Sequence, residues 1–141
     1  MQVVRIGTKK MSSTFKAAGV LIQYKSSFML CKRSPEMANF ASYWAPPSGM
    51  IEKGEVAYEA AVRELYEETR IALNPKDISL VWDDGEFGLF LHKSLFMYHP
   101  ILDIEHVGYA YFTFEELPRK IDYNLYKLIK RLTEKENCGI N

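Results

Sequence analysis

Apolar residues of this chain collect in short runs that polar breaks and turn residues separate. Residues 17–24 and 28–31 form the first two runs, on either side of Lys25-Ser26-Ser27, and this pattern predicts two strands joined as a hairpin. Three later runs are rich in aromatic and β-branched side chains, which favours further strands. They cover residues 78–83, 89–98 and 109–114.

Two other segments have the composition or the spacing of helices. Residues 55–70 contain neither proline nor glycine and are rich in alanine, glutamate and leucine, and Asn74-Pro75 follows them as a stop. Near the end of the chain, apolar residues recur at helical spacing between lysines and arginines, which predicts an amphipathic helix. They are Ile121, Leu125, Leu128, Ile129 and Leu132. Strands before and after a central helix, with a second helix at the end, predict a mixed sheet covered on two faces.

Composition places the chain among ordinary globular domains. Its 141 residues are 48% hydrophobic and 26% charged, which fits one domain over residues 1–141. Eighteen basic residues balance eighteen acidic ones, so no net field is available to hold a long nucleic acid or an anionic membrane. No apolar run approaches the roughly 18 residues that span a bilayer, and the start of the chain lacks the pattern of a signal peptide. We therefore expect a cytoplasmic protein without a membrane anchor.

Cysteines and histidines give little sign of a disulfide framework or a metal site. Cys31 and Cys138 are the two cysteines, and no Cys-x-x-Cys spacing occurs. His92, His99 and His106 lack the i, i+4 pairing of metal ligands on a helix. We expect the histidines to be structural or solvent-facing, and Cys31 to be a small buried side chain.

The helix predicted over residues 55–70 carries an unusual set of acids. On a helix that advances 100° per residue, Glu64, Glu67 and Glu68 fall within an arc of about 100°. Like charges at this spacing destabilise a helix by about 0.2–0.5 kcal/mol each unless a positive group joins them. A divalent cation such as Mg²⁺ or Mn²⁺ is one such group, since it takes oxygen ligands. A solvated acidic face, eased by pairing with Arg63 and Arg70, is the alternative on spacing alone.

The segment before this helix allows the backbone to approach other groups closely. Residues 32–43 are polar and irregular, and Pro46-Pro47 cannot continue a helix or a central strand. Ser48-Gly49 and Gly54 permit sharp turns, so that a main-chain carbonyl near Ser48 can complete a coordination shell. An ordinary turn is the alternative interpretation of the same residues.

Residues 49–71 closely resemble the signature of the Nudix hydrolase family. That signature has a glycine, a glutamate and the run Arg-Glu-aliphatic-x-Glu-Glu-x-Gly-aliphatic at fixed spacing. The matching positions are Gly49, Glu55, Arg63, Glu64, Leu65, Glu67, Glu68 and Ile71. Because each of these residue types makes up about 6–7% of proteins, the six specified Gly, Glu and Arg matches would arise by chance at roughly one start position in 10⁷. The resemblance implies the Nudix fold, an α+β domain built as an α/β/α sandwich with a mixed, mostly antiparallel central sheet.

Two positions depart from the family pattern. Arg70 stands where the signature has its second glycine, which usually lets the helix end in a left-handed residue, and a side chain there costs about 1 kcal/mol. Because Arg70 lies beyond the carboxylates, we expect it to alter the following loop and not the metal site. Ser48 stands where many members have a glycine. Because the implied ligand is the backbone carbonyl, a serine side chain is tolerated at this position. Neither departure removes a catalytic carboxylate.

Carried over position by position, the resemblance implies a Mg²⁺ site, with Mn²⁺ as a possible substitute. Its ligands would be Glu64, Glu67 and Glu68, together with the Ser48 carbonyl. Glu105 matches an acid that many relatives place on a loop across from the signature, where it serves as metal ligand or general base. An exposed loop glutamate without such a role is the alternative for Glu105.

The resemblance also implies supporting roles within the signature. Gly49, Glu55 and Arg63 would brace it, and the planar donor fork of Arg63 suits this role better than a lysine would. The implied catalytic set is Glu67, Glu68, Glu105 and Arg63.

Candidate substrate contacts are Arg33, Trp44 and Gly49. Arg33, with Lys32, stands at a strand end where it can reach phosphate oxygens, and Trp44 can stack on a base. Trp82, Phe87 and Phe40 are further candidates for stacking, although large aromatic side chains of a small domain often belong to its core.

The implied reaction is attack of water at phosphorus in a nucleoside diphosphate joined to another group. Glu68 or Glu105 would act as the base, and the sequence does not choose between them. ADP-ribose and related nucleotide sugars are the favoured substrates, with nucleoside triphosphates and dinucleoside polyphosphates as alternatives. A nucleotide sensor that binds without hydrolysis, or a scaffold that keeps the signature as a relic, are alternatives of another class. The expected partner is a small nucleotide, and a homodimer is left open.

Overall fold

Seven strands form one sheet within residues 15–140, the part of the chain that this computed structural model describes. They are β1 (Ala17–Tyr24), β2 (Ser27–Arg33), β3 (Trp44–Ala45), β4 (Ser48–Met50), β5 (Ser79–Asp83), β6 (Phe87–Ser94) and β7 (His106–Phe112). The helices α1 (Ala57–Thr69) and α2 (Tyr123–Ile140) accompany the sheet. Residues 1–14, for which we expect no signal peptide, and the side chain of Cys138 lie outside the described part.

The sheet is mixed and mostly antiparallel. Its order is β3-β2-β1-β6-β5, while β4 pairs with β1 and β7 pairs with β2. β1 and β6 run parallel, and the other paired strands run antiparallel. The predicted hairpin is β1 and β2, in which Ile22 lies opposite Met29 and Tyr24 opposite Ser27. The α+β fold that the resemblance implies is therefore confirmed.

Alternating side chains of the central strands build two separate cores. Val20 and Ile22 of β1 belong to the core on the α1 side, together with Leu65 of the helix. Leu21 belongs to the core on the other side, together with Leu128 of α2. Because successive side chains of a strand point to opposite faces, a strand covered by helices on both faces is apolar nearly throughout. Each fully buried aliphatic side chain contributes about 1.5–3 kcal/mol to folding.

Several boundaries differ from the predicted ones by a few residues. The strand predicted over residues 89–98 is β6, which ends at Ser94, because the Ser94 hydroxyl bonds to the backbone of Phe96 and turns the chain. β7 ends before the predicted limit because a short 3₁₀ turn follows it at Phe114–Glu116. Both predicted helices are present. Neither of the two described helices is long and apolar enough to cross a bilayer.

α1 ends on a left-handed residue even though that residue carries a side chain. Arg70 has φ 62° and ψ 13°, and its N–H donates to the carbonyl oxygen of Tyr66 at 2.8 Å. The Arg70 guanidinium lies 5.1 Å from the centre of the Tyr66 ring, a contact that stabilises by about 0.5–1 kcal/mol at exposed sites. The helix exit thus has the conformation that a glycine would supply, and the effect of Arg70 on the following loop stays a prediction.

Replacing Arg70 with glycine should stabilise the fold by up to about 1 kcal/mol, because glycine adopts positive φ without the steric cost of a Cβ. Loss of the contact with the Tyr66 ring offsets part of this gain. The free energy of unfolding in urea measures the difference. Arg70→Ala is the matched control, since it removes the same contact but keeps the Cβ, and it should be less stable than Arg70→Gly. Equal stability of the two variants would contradict the argument.

Candidate active site

The last two turns of α1 bring three acids to the edge of the core. Leu65 is fully buried under the sheet, and Glu68, three residues further on, is only 5% exposed. The side chain of Glu64 is 15% exposed, whereas that of Glu67 is 53% exposed. The Glu64 carboxyl group lies close enough to that of Glu68 to raise the pKa of Glu68. The structure therefore pairs Glu64 with Glu68 and leaves Glu67 on their solvent side.

Strand β4 holds the loop before α1 against these acids. Ser48 lies opposite Gly19 in the pairing of β4 with β1, and the Ser48 N–H donates to Glu68 Oε1 at 3.3 Å. At the next position, a Cβ on Gly49 would lie 2.1 Å from the carboxyl carbon of Glu64. Since no side chain fits there, this close approach requires glycine. Ser48 and Gly49 thus each contact one member of the carboxyl pair.

Arg63 connects the acids to the loop that precedes the helix. Its Nε and Nη2 donate to the two carboxylate oxygens of Glu55 at 2.7 and 3.0 Å, and Nη2 also donates to the Met50 carbonyl at 3.0 Å. Its Nη1 donates to Glu64 at 3.1 Å and to Glu67 at 3.2 Å. A guanidinium offers five donors in one plane, which a lysine does not. Arg63 is therefore placed to fix the positions of carboxylates from both segments.

This network shifts the pKa values of its carboxyl groups in opposite directions. Hydrogen bonds from Arg63 hold the pKa of Glu55 below its usual value. Burial, and next the contact with Glu64, raise the pKa of Glu68 to about 9. Two adjoining carboxyl groups with limited access to water resist carrying two charges unless a cation joins them.

Asp103, in the loop between β6 and β7, and His106, the first residue of β7, lie next to the carboxyl pair. His106 is 8% exposed, and its Nε2 lies 3.7 Å from Glu68 Oε1 while its Nδ1 lies 2.7 Å from Asp103 Oδ1. The N–H of Asp103 donates to the Glu68 carbonyl oxygen at 3.1 Å, which ties the loop to the end of α1. Sequence reasoning missed Asp103 and assigned His106 no contact with the acids, because nothing in local spacing shows where this loop docks.

Glu105 lies on the same loop, and its side chain is exposed. Its carbonyl oxygen accepts a hydrogen bond from the Ser34 N–H at 2.8 Å. Among residues 15–137, hydrogen bonds and ion pairs to Glu64, Glu67 and Glu68 come from Ser48, Arg63 and His106, and not from the Glu105 side chain. The role of Glu105 as a ligand or base therefore stays a prediction.

The donors of this site suit a hard divalent cation. The acids of α1 offer carboxylate oxygens, and a cation would compensate the charge that the buried pair Glu64 and Glu68 resists holding alone. In the described residues, however, no three His, Cys, Asp or Glu side chains converge as a ready metal cluster. The residues fit the ion by their chemistry, and Glu67 would have to leave its contact with Arg63 to join them.

A cavity of about 450 Å³ adjoins the acids, a volume within the range of small-molecule sites. Ser48 lines the cavity and also bonds to Glu68, so the two regions meet at this residue. The cavity brings together most of the predicted substrate contacts, namely Arg33, Phe40, Trp44, Trp82 and Phe87, whereas Lys32 and Gly49 do not line it. A second cavity of the same volume lies beside Phe15 and Tyr58 and contains none of the site residues.

The contribution of Glu55 to stability should depend on pH. Because Arg63 lowers the pKa of Glu55 in the folded state from its usual 4.5, the pair stabilises the fold above about that pH, and this contribution is lost as the pH falls through the folded value. We therefore expect Glu55→Gln to destabilise the protein clearly at pH 7 and progressively less below pH 4.5. Urea unfolding across this range measures the difference.

Glu52→Gln is the control for this measurement. Glu52 faces the same guanidinium at 3.6 Å but its side chain is 69% exposed, so solvent screens the pair and its loss should change stability little at any pH. A destabilisation by Glu55→Gln that stays constant from pH 7 into acid would contradict the prediction.

Comparison with known sequences identifies relatives that share part of this chain. The m7GpppN-mRNA hydrolase NUDT17 of Xenopus laevis is 35% identical over 86 residues, which are 59% of this chain and 29% of that protein. An RNA pyrophosphohydrolase of Azorhizobium caulinodans is 57% identical over 37 residues, which are 26% of this chain and 22% of that protein. The matched region thus spans less than a third of the length of each of these curated relatives.

Solved structures and a family model match much more of the chain. The MutT protein from Methanosarcina mazei Go1 has a TM-score of 0.68 and 23% identity, over 86% of this chain and 93% of that chain. The Ap4A hydrolase of C. elegans has a TM-score of 0.64 and 21% identity, over 86% and 98% of the two chains. At these identities the likeness shows the fold. The NUDIX domain model matches residues 14–132, most of the sequence, and the chain therefore belongs to the Nudix family.

Proposed function

We propose that this protein is a metal-dependent hydrolase that cleaves the pyrophosphate linkage of a nucleoside diphosphate derivative. The observation that carries the proposal is the burial of Glu68 beside Glu64, and this burial, with Glu64 as the next cause, raises the pKa of Glu68 to about 9. A buried pair of acids destabilises a protein, and such departures from stable design concentrate at functional sites. The same pair offers oxygen donors to a cation, and Ser48, which bonds to Glu68, lines a cavity of suitable size.

Glu64, Glu67, Glu68 and the Ser48 carbonyl would hold Mg²⁺, with Mn²⁺ as a substitute. When bound, such an ion neutralises phosphate oxygens and makes a water molecule more acidic. The cavity residues would bind the nucleoside, and Arg33 among them suits phosphate oxygens through its donor fork. Arg63 would act by positioning, since its donors are engaged by Glu55, Glu64, Glu67 and Met50.

Glu68 is our choice for the general base. A buried carboxylate is a stronger proton acceptor than an exposed one, and a bound cation would lower the pKa of Glu68 toward the operating pH, where a base works best. The Ser48 N–H at 3.3 Å orients the Glu68 carboxylate, and the His106 ring lies 3.7 Å from the same oxygen. Glu105, which is exposed and close to His106 in sequence, is the alternative base.

The names of the relatives support cleavage of a phosphate anhydride more than they support one particular substrate. By name they act on an mRNA cap, on an RNA pyrophosphate and on Ap4A, and these substrates share a phosphate anhydride next to a nucleoside. ADP-ribose and related nucleotide sugars, which the sequence favours, contain the same linkage, as do nucleoside triphosphates. We propose that the substrate is a small nucleotide of this group and that the protein acts in the cytoplasm.

Glu67→Gln and Glu68→Gln should each lower turnover by orders of magnitude, because each removes a charged ligand from the metal site, while the melting temperature of Glu68→Gln should hold or rise. The measurement is release of phosphate or mononucleotide from about twenty nucleotide derivatives with Mg²⁺ or Mn²⁺. The substrate panel includes ADP-ribose, nucleoside diphosphate sugars, dinucleoside polyphosphates, capped dinucleotides and nucleoside triphosphates.

Glu134→Gln is the control variant, since Glu134 is an exposed acid on α2 outside the site, and it should keep full activity. Unchanged specific activity in the Glu67 and Glu68 variants, with loss of stability, would make those acids structural. Measurable binding of nucleotides without turnover of any of them would favour the sensor.

A further inference from the structure

The cavity beside the acids has aromatic walls and two carboxylates. Trp44, Trp82 and Phe87 supply aromatic rings, and Asp84 and Asp122 supply carboxylates. Flat aromatic walls suit a nucleobase, because every base has a face that can stack. Stacking alone does not distinguish one base from another, so discrimination depends on the polar groups.

Each of these two aspartates is fixed by backbone hydrogen bonds to one of its oxygens. Asp84 Oδ1 accepts from the N–H groups of Glu86 at 2.9 Å and Phe87 at 2.7 Å. Asp122 Oδ2 accepts from Asn124 at 2.9 Å and Leu125 at 3.2 Å, at the start of α2. Within the described part of the chain, these hydrogen bonds involve only one oxygen of each aspartate. The second oxygen is therefore available to a ligand. The backbone donors also keep the pKa of Asp84 below its usual value, so this group is an ionised acceptor at neutral pH.

Ionised carboxylates accept hydrogen bonds and donate none, which restricts the base that they can read. Guanine presents two adjacent donors, N1–H and the N2 amino group, on its Watson–Crick edge. Adenine and cytosine place a ring acceptor beside their amino group, and uracil places one N–H between two carbonyl acceptors. A ring acceptor next to a carboxylate is repulsive, so guanine is the base that best matches these two carboxylates.

We infer that the cavity selects a guanine base, with the free oxygens of Asp84 and Asp122 accepting from its Watson–Crick edge. This inference rests on the proposed function and names the base of its substrate. Because Ser48 lines the cavity and bonds to Glu68, a nucleoside bound there extends its phosphates toward the acids of α1. N7-methylation gives guanine a positive charge, which carboxylates and indole faces both favour, so guanine and N7-methylguanine share this chemistry.

The test compares binding of GMP, N7-methyl-GMP, AMP, CMP and UMP, which lack the anhydride and stay intact. Quenching of tryptophan fluorescence or calorimetry gives the affinities. We expect GMP or its methylated form to bind about tenfold or more tightly than AMP, CMP and UMP. The ratio of GMP to N7-methyl-GMP then assigns the unmodified or the methylated base.

Asp84→Asn and Asp122→Asn test the two acceptors. The amide oxygen of asparagine keeps the backbone hydrogen bonds, and asparagine is a good helix cap, while the amide N–H₂ places a donor where the free oxygen stood. Each variant should fold and should lose about tenfold of the preference for guanine. Asp83→Asn is the control, because Asp83 is a neighbouring exposed aspartate that bonds to the Gly85 N–H and does not line the cavity.

Equal affinity for all bases, no binding of any of them, or a guanine preference that both variants keep would overturn the inference. Guanine-selective binding without hydrolysis of any guanine anhydride would support the inference and remove the proposed function instead. Metal-dependent hydrolysis without a base preference would leave the proposed function standing and overturn the inference alone.

Discussion

The fork of hydrogen bonds from Arg63 to Glu55 fixes the geometry on which the site depends. It ties the loop after β4 to the middle of α1, and the same guanidinium holds the Met50 carbonyl. With the loop held there, Gly49 lies against the Glu64 carboxyl group without room for a Cβ. The signature thus spaces a glycine, a glutamate and an arginine so that the arginine guanidinium can position acids which would otherwise repel one another.

Most of the fold can be predicted from the periodicity of the sequence, because the side chains that the fold buries recur at the spacing of a strand or a helix. Leu65 and Leu128 lie on helices that cover opposite faces of the sheet, and Leu21 and Ile22 alternate between those faces. Strand ends were harder to predict, since they depend on single hydrogen bonds between side chain and backbone, such as that of Ser94 with Phe96. A period of two or 3.6 residues contains no information about such a turn.

The sequence predicted that three acids share one face of α1, but not how their burial differs. Helical geometry treats Glu64, Glu67 and Glu68 alike, whereas β4 buries Glu68 beside Glu64 and Glu67 stays exposed. The position of His106 was also inaccessible to sequence reasoning, because its loop reaches α1 through backbone hydrogen bonds that any residue type can form. Tertiary contacts of this kind turn a simple acidic face into one in which a single buried carboxyl group, that of Glu68, has a raised pKa.

Chemistry and recognition are built from different parts of this chain. The acids lie on α1, whereas the cavity takes its walls from β3, β5 and the start of α2, through Trp44, Trp82 and Asp122. Ser48 belongs to both regions. Substitutions in the cavity can therefore change its shape and polarity without moving the carboxylates, and for the same reason a signature confined to residues 49–71 identifies the family while it leaves the ligand open.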